Sequence, residues 1–165
     1  MKNKFKKTAI FMLVLILIIP FSLILKSEFT TYDVTDEAII NASPEVVFKA
    51  LRDEFIGKTN WWMPYLSSKI RDGHSPGRIG SLIDVTVHGE HPVKITSKSV
   101  EIKENEMIRS ENVEGPLKGE TVWTLERVND KTKLSCRWRM KASGLVFKFR
   151  TLDLGKENIY YAAVK

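Results

Sequence analysis

The strongest constraint in this sequence is an uninterrupted apolar run near its start. From Thr8 to Leu25 there are 18 residues with neither a charge nor a glycine, and 13 of them are Leu, Ile, Val or Phe. At about 1.5 Å rise per residue, a helix of that length covers about 27 Å, close to a hydrocarbon core of about 30 Å. Lys7 and Lys26 flank the run and can snorkel to the two interfaces, which closes the remaining gap. At roughly −0.4 kcal/mol for each large apolar side chain, insertion is favourable by about 5 kcal/mol. Pro20 lies near the end of the run, where freed backbone groups reach the interface. The run predicts a single transmembrane anchor at 8–25, with a basic segment at 1–7 before it and a tether at 26–32 after it. Lys2, Lys4, Lys6 and Lys7 precede the run with no acid among them, so the positive-inside rule keeps the N-terminus in the cytoplasm. The expected location is the cell membrane, single-pass, with the domain on the extracytoplasmic side. A cleaved signal peptide would have a shorter apolar core and a small-x-small site, which Leu25-Lys26-Ser27 does not supply.

In a chain of 165 residues, one anchor leaves room for one domain, expected at 33–165. The chain carries 26 basic and 20 acidic residues, but setting aside the four N-terminal lysines leaves 22 against 20. A domain this close to neutral lacks the basic footprint of a nucleic-acid binder. The single Cys136 excludes an intramolecular disulfide framework and a cluster of thiolate metal ligands.

Downstream of the tether, Asp33 to Ile40 reads as a strand. Ser43-Pro44-Glu45 is a helix start, with Ser as N-cap and Pro in the first turn. Val47, Phe48, Leu51 and Phe55 follow at helical spacing, and Gly57 ends the helix. Asn60 to Tyr65, rich in tryptophan and stopped by Pro64, predicts a short second helix or turn. Beyond Pro76-Gly77 strands follow one another: Ile83, Val85 and Val87 alternate with Leu82, Asp84 and Thr86, and further strands begin near Val93 and at Met107. Asn129-Asp130-Lys131 joins Leu117–Val128 to Thr132–Met140 as a hairpin. In the last strand Leu134, Cys136, Trp138 and Met140 face one way and Lys133, Ser135, Arg137 and Arg139 the other, the signature of a half-buried antiparallel strand. A strand, two short helices and a meander of strands make the class α+β.

The stretch Ile39-Ile40-Asn41-Ala42-Ser43-Pro44-Glu45-Val46-Val47-Phe48 resembles the opening strand and helix of the START-like, or SRPBCC, superfamily, which includes polyketide cyclase/dehydratase and lipid-transfer domains. Trp61-Trp62 resembles the tryptophan that often precedes the second strand in that superfamily, Pro76-Gly77-Arg78-Ile79-Gly80-Ser81 resembles the glycine-bearing entry to the next strand, and the likeness runs from about Thr31 to Gly144. The resemblance implies a helix-grip fold: a curved antiparallel sheet around a C-terminal helix, with an apolar cavity between them. After Gly144 only 21 residues follow, so Leu154 to Lys165 predicts a shortened gripping helix. An open concave face of this kind calls for a ligand, a membrane surface or a partner protein to cover it.

Catalytic groupings are sparse. His88 and His91 flank Gly89-Glu90 at a hairpin tip, exposed and lacking a fourth ligand, and they read as solvated turn residues, as does His74. No nucleophile elbow or phosphate loop occurs. Cys136 faces inward, where apolar burial keeps a thiol inert. The acid pair Asp53-Glu54 reads as a solvated helix end. Candidate cavity-wall residues are Trp61, Trp62, Ile83, Val85, Trp123, Leu125, Trp138 and Met140, because ligand pockets are mostly apolar and aromatic and an indole N–H can orient a guest. Trp61-Trp62 also suits a membrane interface. The leading reading is a membrane-tethered domain that binds a hydrophobic small molecule or lipid without catalysis, cofactor or metal. The alternatives are a cyclase- or dehydratase-like enzyme on a hydrophobic substrate, and a protein-interaction module of co-chaperone type.

Overall fold

The computed structural model describes residues 31–75, 77–88 and 92–142. The predicted anchor at 8–25, the segment before it, residues 26–30 of the tether and the shortened helix expected at 154–165 lie outside the described residues, as do Pro76 and Gly89-Glu90-His91. Among the described residues, no helix is long and apolar enough to cross a membrane.

The chain forms β1 (Thr31–Ile40), α1 (Pro44–Phe55), β2 (Leu66–Ile70), β3 (Leu82–Val87), β4 (Val93–Lys103), β5 (Met107–Glu114), β6 (Leu117–Val128) and β7 (Lys131–Ala142). The strands make one antiparallel sheet in the order β1-β7-β6-β5-β4-β3-β2. Its two edges are therefore the first two strands. Helix α1 carries the chain from one edge to the other, and the meander from β2 to β7 returns to pair with β1.

Local chemistry explains each turn of this path. Asn105 and Asn129 take up φ of 63° and 57° in the β4–β5 and β6–β7 turns, where a short polar side chain tolerates the left-handed region. The sheet curls into a half-barrel. Two register shifts between β4 and β5 bend the pair, one with Val113 of β5 as the extra residue opposite Thr96/Ser97 and one with Val100 of β4 between Ser99 and Glu101. Gly119, at φ 144°, lets β6 pass so close to β7 that a Cβ there would run into the Arg139 carbonyl.

Helix α1 starts as its sequence dictates, with Ser43 as N-cap and Pro44 at the first helical position. It ends in a Schellman motif: Lys58 N–H donates to the Asp53 carbonyl at 2.8 Å and Gly57 N–H to the Glu54 carbonyl at 3.0 Å. Val47, Phe48 and Leu51 are buried against Ile108 and Leu125, with Ile40, Ile102 and Leu134 packed around them. Each such side chain contributes about 1.5–3 kcal/mol. All these sheet residues lie toward one end of their strands, so α1 fills that end of the concave face and leaves the other to the site.

One sequence expectation changes. The second short helix does not form: Trp61 to Tyr65 is a run of turns, with Met63 N–H bonded to the Asn60 carbonyl and Leu66 N–H to the Trp62 carbonyl, and Pro64 has no amide with which to extend them. The edge strand β2 is where the resemblance sets a second strand after Trp61-Trp62, although Leu66-Ser67-Ser68-Lys69-Ile70 carries apolar side chains only at its ends and has no alternation to mark it.

On the convex face Arg71, just past β2, clips three strands together. Its guanidinium donates to Asp84 at 2.7 Å, to Glu114 at 3.0 Å and to the Thr96 hydroxyl. Asp84 thus belongs to the outer surface, as its alternation with Ile83 and Val85 predicts. The Arg71 hydrogen bonds hold the Asp84 and Glu114 carboxyls below their usual range. A carboxyl depressed on folding contributes stability that is present above its unfolded value, near pH 4, and is lost as pH falls through the folded value. Arg71→Met is therefore expected to melt below the wild type at pH 7, with the difference closing below about pH 3 in thermal scans followed by circular dichroism. Gly57 has φ 74°, and a Cβ there would lie 2.7 Å from the Ser68 carbonyl oxygen. Gly57→Ala is expected to lose about 2 kcal/mol in urea unfolding, from the left-handed penalty and that contact together.

Candidate functional site

Strands curl around space that α1 does not reach, and the result is a cavity of about 540 Å³. Its aromatic side is built from the end of α1 and the loop after it. Trp62 stacks on Trp123 at a centroid separation of 5.9 Å and 19° between planes, and Phe55 meets both rings edge-on at 5.2 and 6.1 Å. Trp61 adds a fourth ring, 5.2 Å from Trp62, and is 52% exposed.

Glu54 holds this cluster in place. It is 1% exposed, and its carboxyl oxygens accept from the Thr59 hydroxyl at 2.6 Å, the Trp61 N–H at 3.2 Å and the Trp62 N–H at 3.1 Å. The Ser68 hydroxyl donates to the Glu54 carbonyl at 2.6 Å, so the same residue binds the loop and β2. The expectation of a solvated Asp53-Glu54 pair holds only for Asp53, which meets Lys49 and Lys58 at the surface. Glu54 is buried because the Schellman turn folds the following loop back over it.

Of the predicted wall residues, Trp61, Trp62, Ile83, Val85, Trp123, Trp138 and Met140 line the cavity. Leu125 does not. It shares the inward face of β6 with Trp123 but lies one pair further along the strand, under α1, in the solid core with Phe48 and Leu51. Sequence alternation places a residue on a face, not at a position along it.

Several cavity residues escaped the sequence reading. Asp36 on β1 lines the cavity. So do Ser97, Ser99, Ser110, Asn112 and Thr121, which cross its floor. A signal for three of them existed: Thr121 alternates onto the face of Trp123 and Leu125, and Arg109 and Glu111 are charged, so the alternate positions Ser110 and Asn112 had to face inward. Ser97 and Ser99 follow Ile95 at two-residue spacing on the same inward face, but as small polar side chains they do not announce a cavity wall.

Cys136 also lines the wall, with its sulfur accepting from the Trp138 indole N–H. Burial pushes its thiol up, against the opposing effect of that hydrogen bond, so it stays protonated and unreactive. His88 is not on the wall; its Nε2 lies 2.8 Å from the Ser67 hydroxyl. Among the described residues no group of three His, Cys, Asp or Glu side chains is placed to hold a metal ion.

Removing the Glu54 carboxyl should loosen the aromatic wall from α1. Glu54→Ala is expected to cost roughly 3 kcal/mol, by stranding three donors, and to red-shift the tryptophan emission as Trp62 leaves Trp123. Glu54→Gln, which keeps an acceptor oxygen, should lose less than half as much. Equal stability of all three proteins in urea would remove Glu54 from this role.

The geometry matches known folds. A START superfamily protein from Mycobacterium smegmatis aligns with TM-score 0.56 and 18% identity over 79% of this chain and 92% of its own. The Zhui aromatase/cyclase from Streptomyces aligns with TM-score 0.59 and 15% identity over 81% and 88%. A protein from Thermus thermophilus aligns with TM-score 0.64 and 15% identity over 79% and 88%. At such identities the likeness is one of fold. No curated protein sequence matches the chain. The sequence pattern of the family described as polyketide cyclase/dehydrase and lipid transport matches residues 31–158, and with the curled sheet, the crossing helix and the cavity between them, the chain belongs to that family.

Proposed function

We propose that this chain binds a hydrophobic small molecule or lipid in the cavity of a domain tethered to the membrane, and that it does so without catalysis. The observation that carries the reading is the cavity itself. At about 540 Å³ with a stacked tryptophan wall, it has the size and lining of a small-molecule site. The apolar run at 8–25 supplies the tether, and β1 begins six residues beyond it at Thr31. A fully extended link of that length spans at most about 20 Å. A guest that partitions into lipid would thus be met at high local concentration.

A second reading is favoured by one observation. Asp36 is a titratable group on the cavity wall, which a cyclase- or dehydratase-like enzyme would use to move a proton.

Native mass spectrometry of the full chain released from membranes tests both. The expected result is a non-covalently held apolar molecule or lipid that exchanges with added lipid unchanged. Recovery of an added hydroxyketone with loss of water, abolished in Asp36→Asn, would replace the binding reading with the enzymatic one. A chain with no guest and no uptake would overturn both. Resistance of the chain to alkaline extraction from membranes is the expected outcome for the tether, and release into the soluble fraction would remove it.

A further inference from the structure

We infer that the cavity floor selects an uncharged guest bearing hydroxyl or keto oxygens, and rejects anionic lipids. The inference rests on the binding reading above and narrows it to a ligand class.

The floor is not greasy throughout. Strand register brings Ser99 of β4 opposite Ser110 of β5, and Ser110 opposite Thr121 of β6, while one row along Ser97 lies opposite Asn112. All five line the cavity. They form a continuous polar band across three strands, with Trp123 and Ile108 on one side and Met140 beyond it on the other.

The band has unused hydrogen-bonding capacity. Ser97 Oγ donates to Asn112 Oδ1 at 2.6 Å, which fixes the amide, and Asn112 Nδ2 then meets only the Met140 sulfur at 3.2 Å, a weak acceptor. Ser99 and Thr121 are 4% and 9% exposed, and among the described residues their hydroxyls find no partner. Neither hydroxyl is sealed off, for no fully enclosed side-chain oxygen or nitrogen among the described residues lacks a partner. Both therefore open into the cavity. A buried hydroxyl left unpaired is unfavourable, and a ligand oxygen or a water relieves it.

Charge decides which oxygen. Among the described lining residues none is basic, while Asp36 and Glu37 are acids, the latter paired with Lys133 at 2.9 Å. A carboxylate or phosphate entering this space would lose its water and gain no cation from the described lining residues. A hydroxyl or ketone needs only the donors and acceptors that the band presents.

Three matched probes separate the terms: naphthalene, 2-naphthol and 2-naphthoate, titrated against the full chain in lipid nanodiscs by tryptophan quenching, with empty nanodiscs correcting for partition. The expected order is naphthol tightest, about tenfold over naphthalene, with naphthoate weakest. Ser99→Ala and Thr121→Val should each weaken naphthol about fivefold and shift naphthalene less than twofold, without lowering the melting temperature, since neither hydroxyl holds the fold. Naphthol and naphthalene binding alike, naphthoate binding as tightly as naphthol, or variants weakening all probes equally would overturn the selectivity while leaving cavity binding intact. Uptake of none of the three would bring down both readings together.

Discussion

Among the described residues, seven strands expose more inward surface than the one short helix can cover, and the rest of the described structure follows from that mismatch. Helix α1 has 12 residues and is about 18 Å long, whereas seven strands at a spacing of about 4.8 Å span about 29 Å. The helix can fill one end of the concave face, where Phe48, Leu51, Ile108 and Leu125 form a solid core. What it leaves over is the cavity. Curvature enforces the same outcome, because the bulges between β4 and β5 and the close passage at Gly119 wrap the strands around the space instead of letting them lie flat against α1.

The wall of that space depends on how the helix ends. Gly57 reverses the chain, the loop folds back, and Glu54 becomes buried as the acceptor for three donors from Thr59, Trp61 and Trp62. A residue that reads as the solvated end of a helix is thus the anchor of the aromatic cluster. The tryptophans need this support. Their rings stack across from β6, and without a fixed backbone nothing would hold Trp62 parallel to Trp123.

Polar groups are sorted between the two faces by different rules. Outside, ion pairs such as Arg71 with Asp84 and Arg137 with Asp33 tie neighbouring strands while staying in contact with water, where each is worth little alone. Inside, the described lining carries uncharged hydroxyls and an amide at its floor and acids at β1. That division gives the cavity an amphipathic character instead of a uniformly oily one, on a fold shared with an aromatase/cyclase and a START protein.

Much of the fold was legible residue by residue. The Ser43-Pro44 start, the Gly57 stop, the Asn129-Asp130 turn and the alternation of β7 each rest on local chemistry that a sequence displays directly. Strand alternation of that kind named five of the cavity-wall residues, Ile83, Val85, Trp123, Trp138 and Met140, because inward positions of a half-buried strand are apolar whatever they touch. Tertiary structure decided the rest. Leu125 and Trp123 are indistinguishable by period, and only the length of α1 determines that one is core and the other wall. The edge strand β2 has too few apolar side chains to announce itself and exists because β3 offers it a partner. Ser97 and Ser99 keep the two-residue period of Ile95 but are polar, so nothing local marks them as lining, and Glu54 looks solvated until a loop distant from its helix axis closes over it. Periodicity and turn chemistry act within a few residues and can be read along the chain, whereas burial and cavity shape arise from contacts between strands far apart in sequence, which only the assembled sheet brings together.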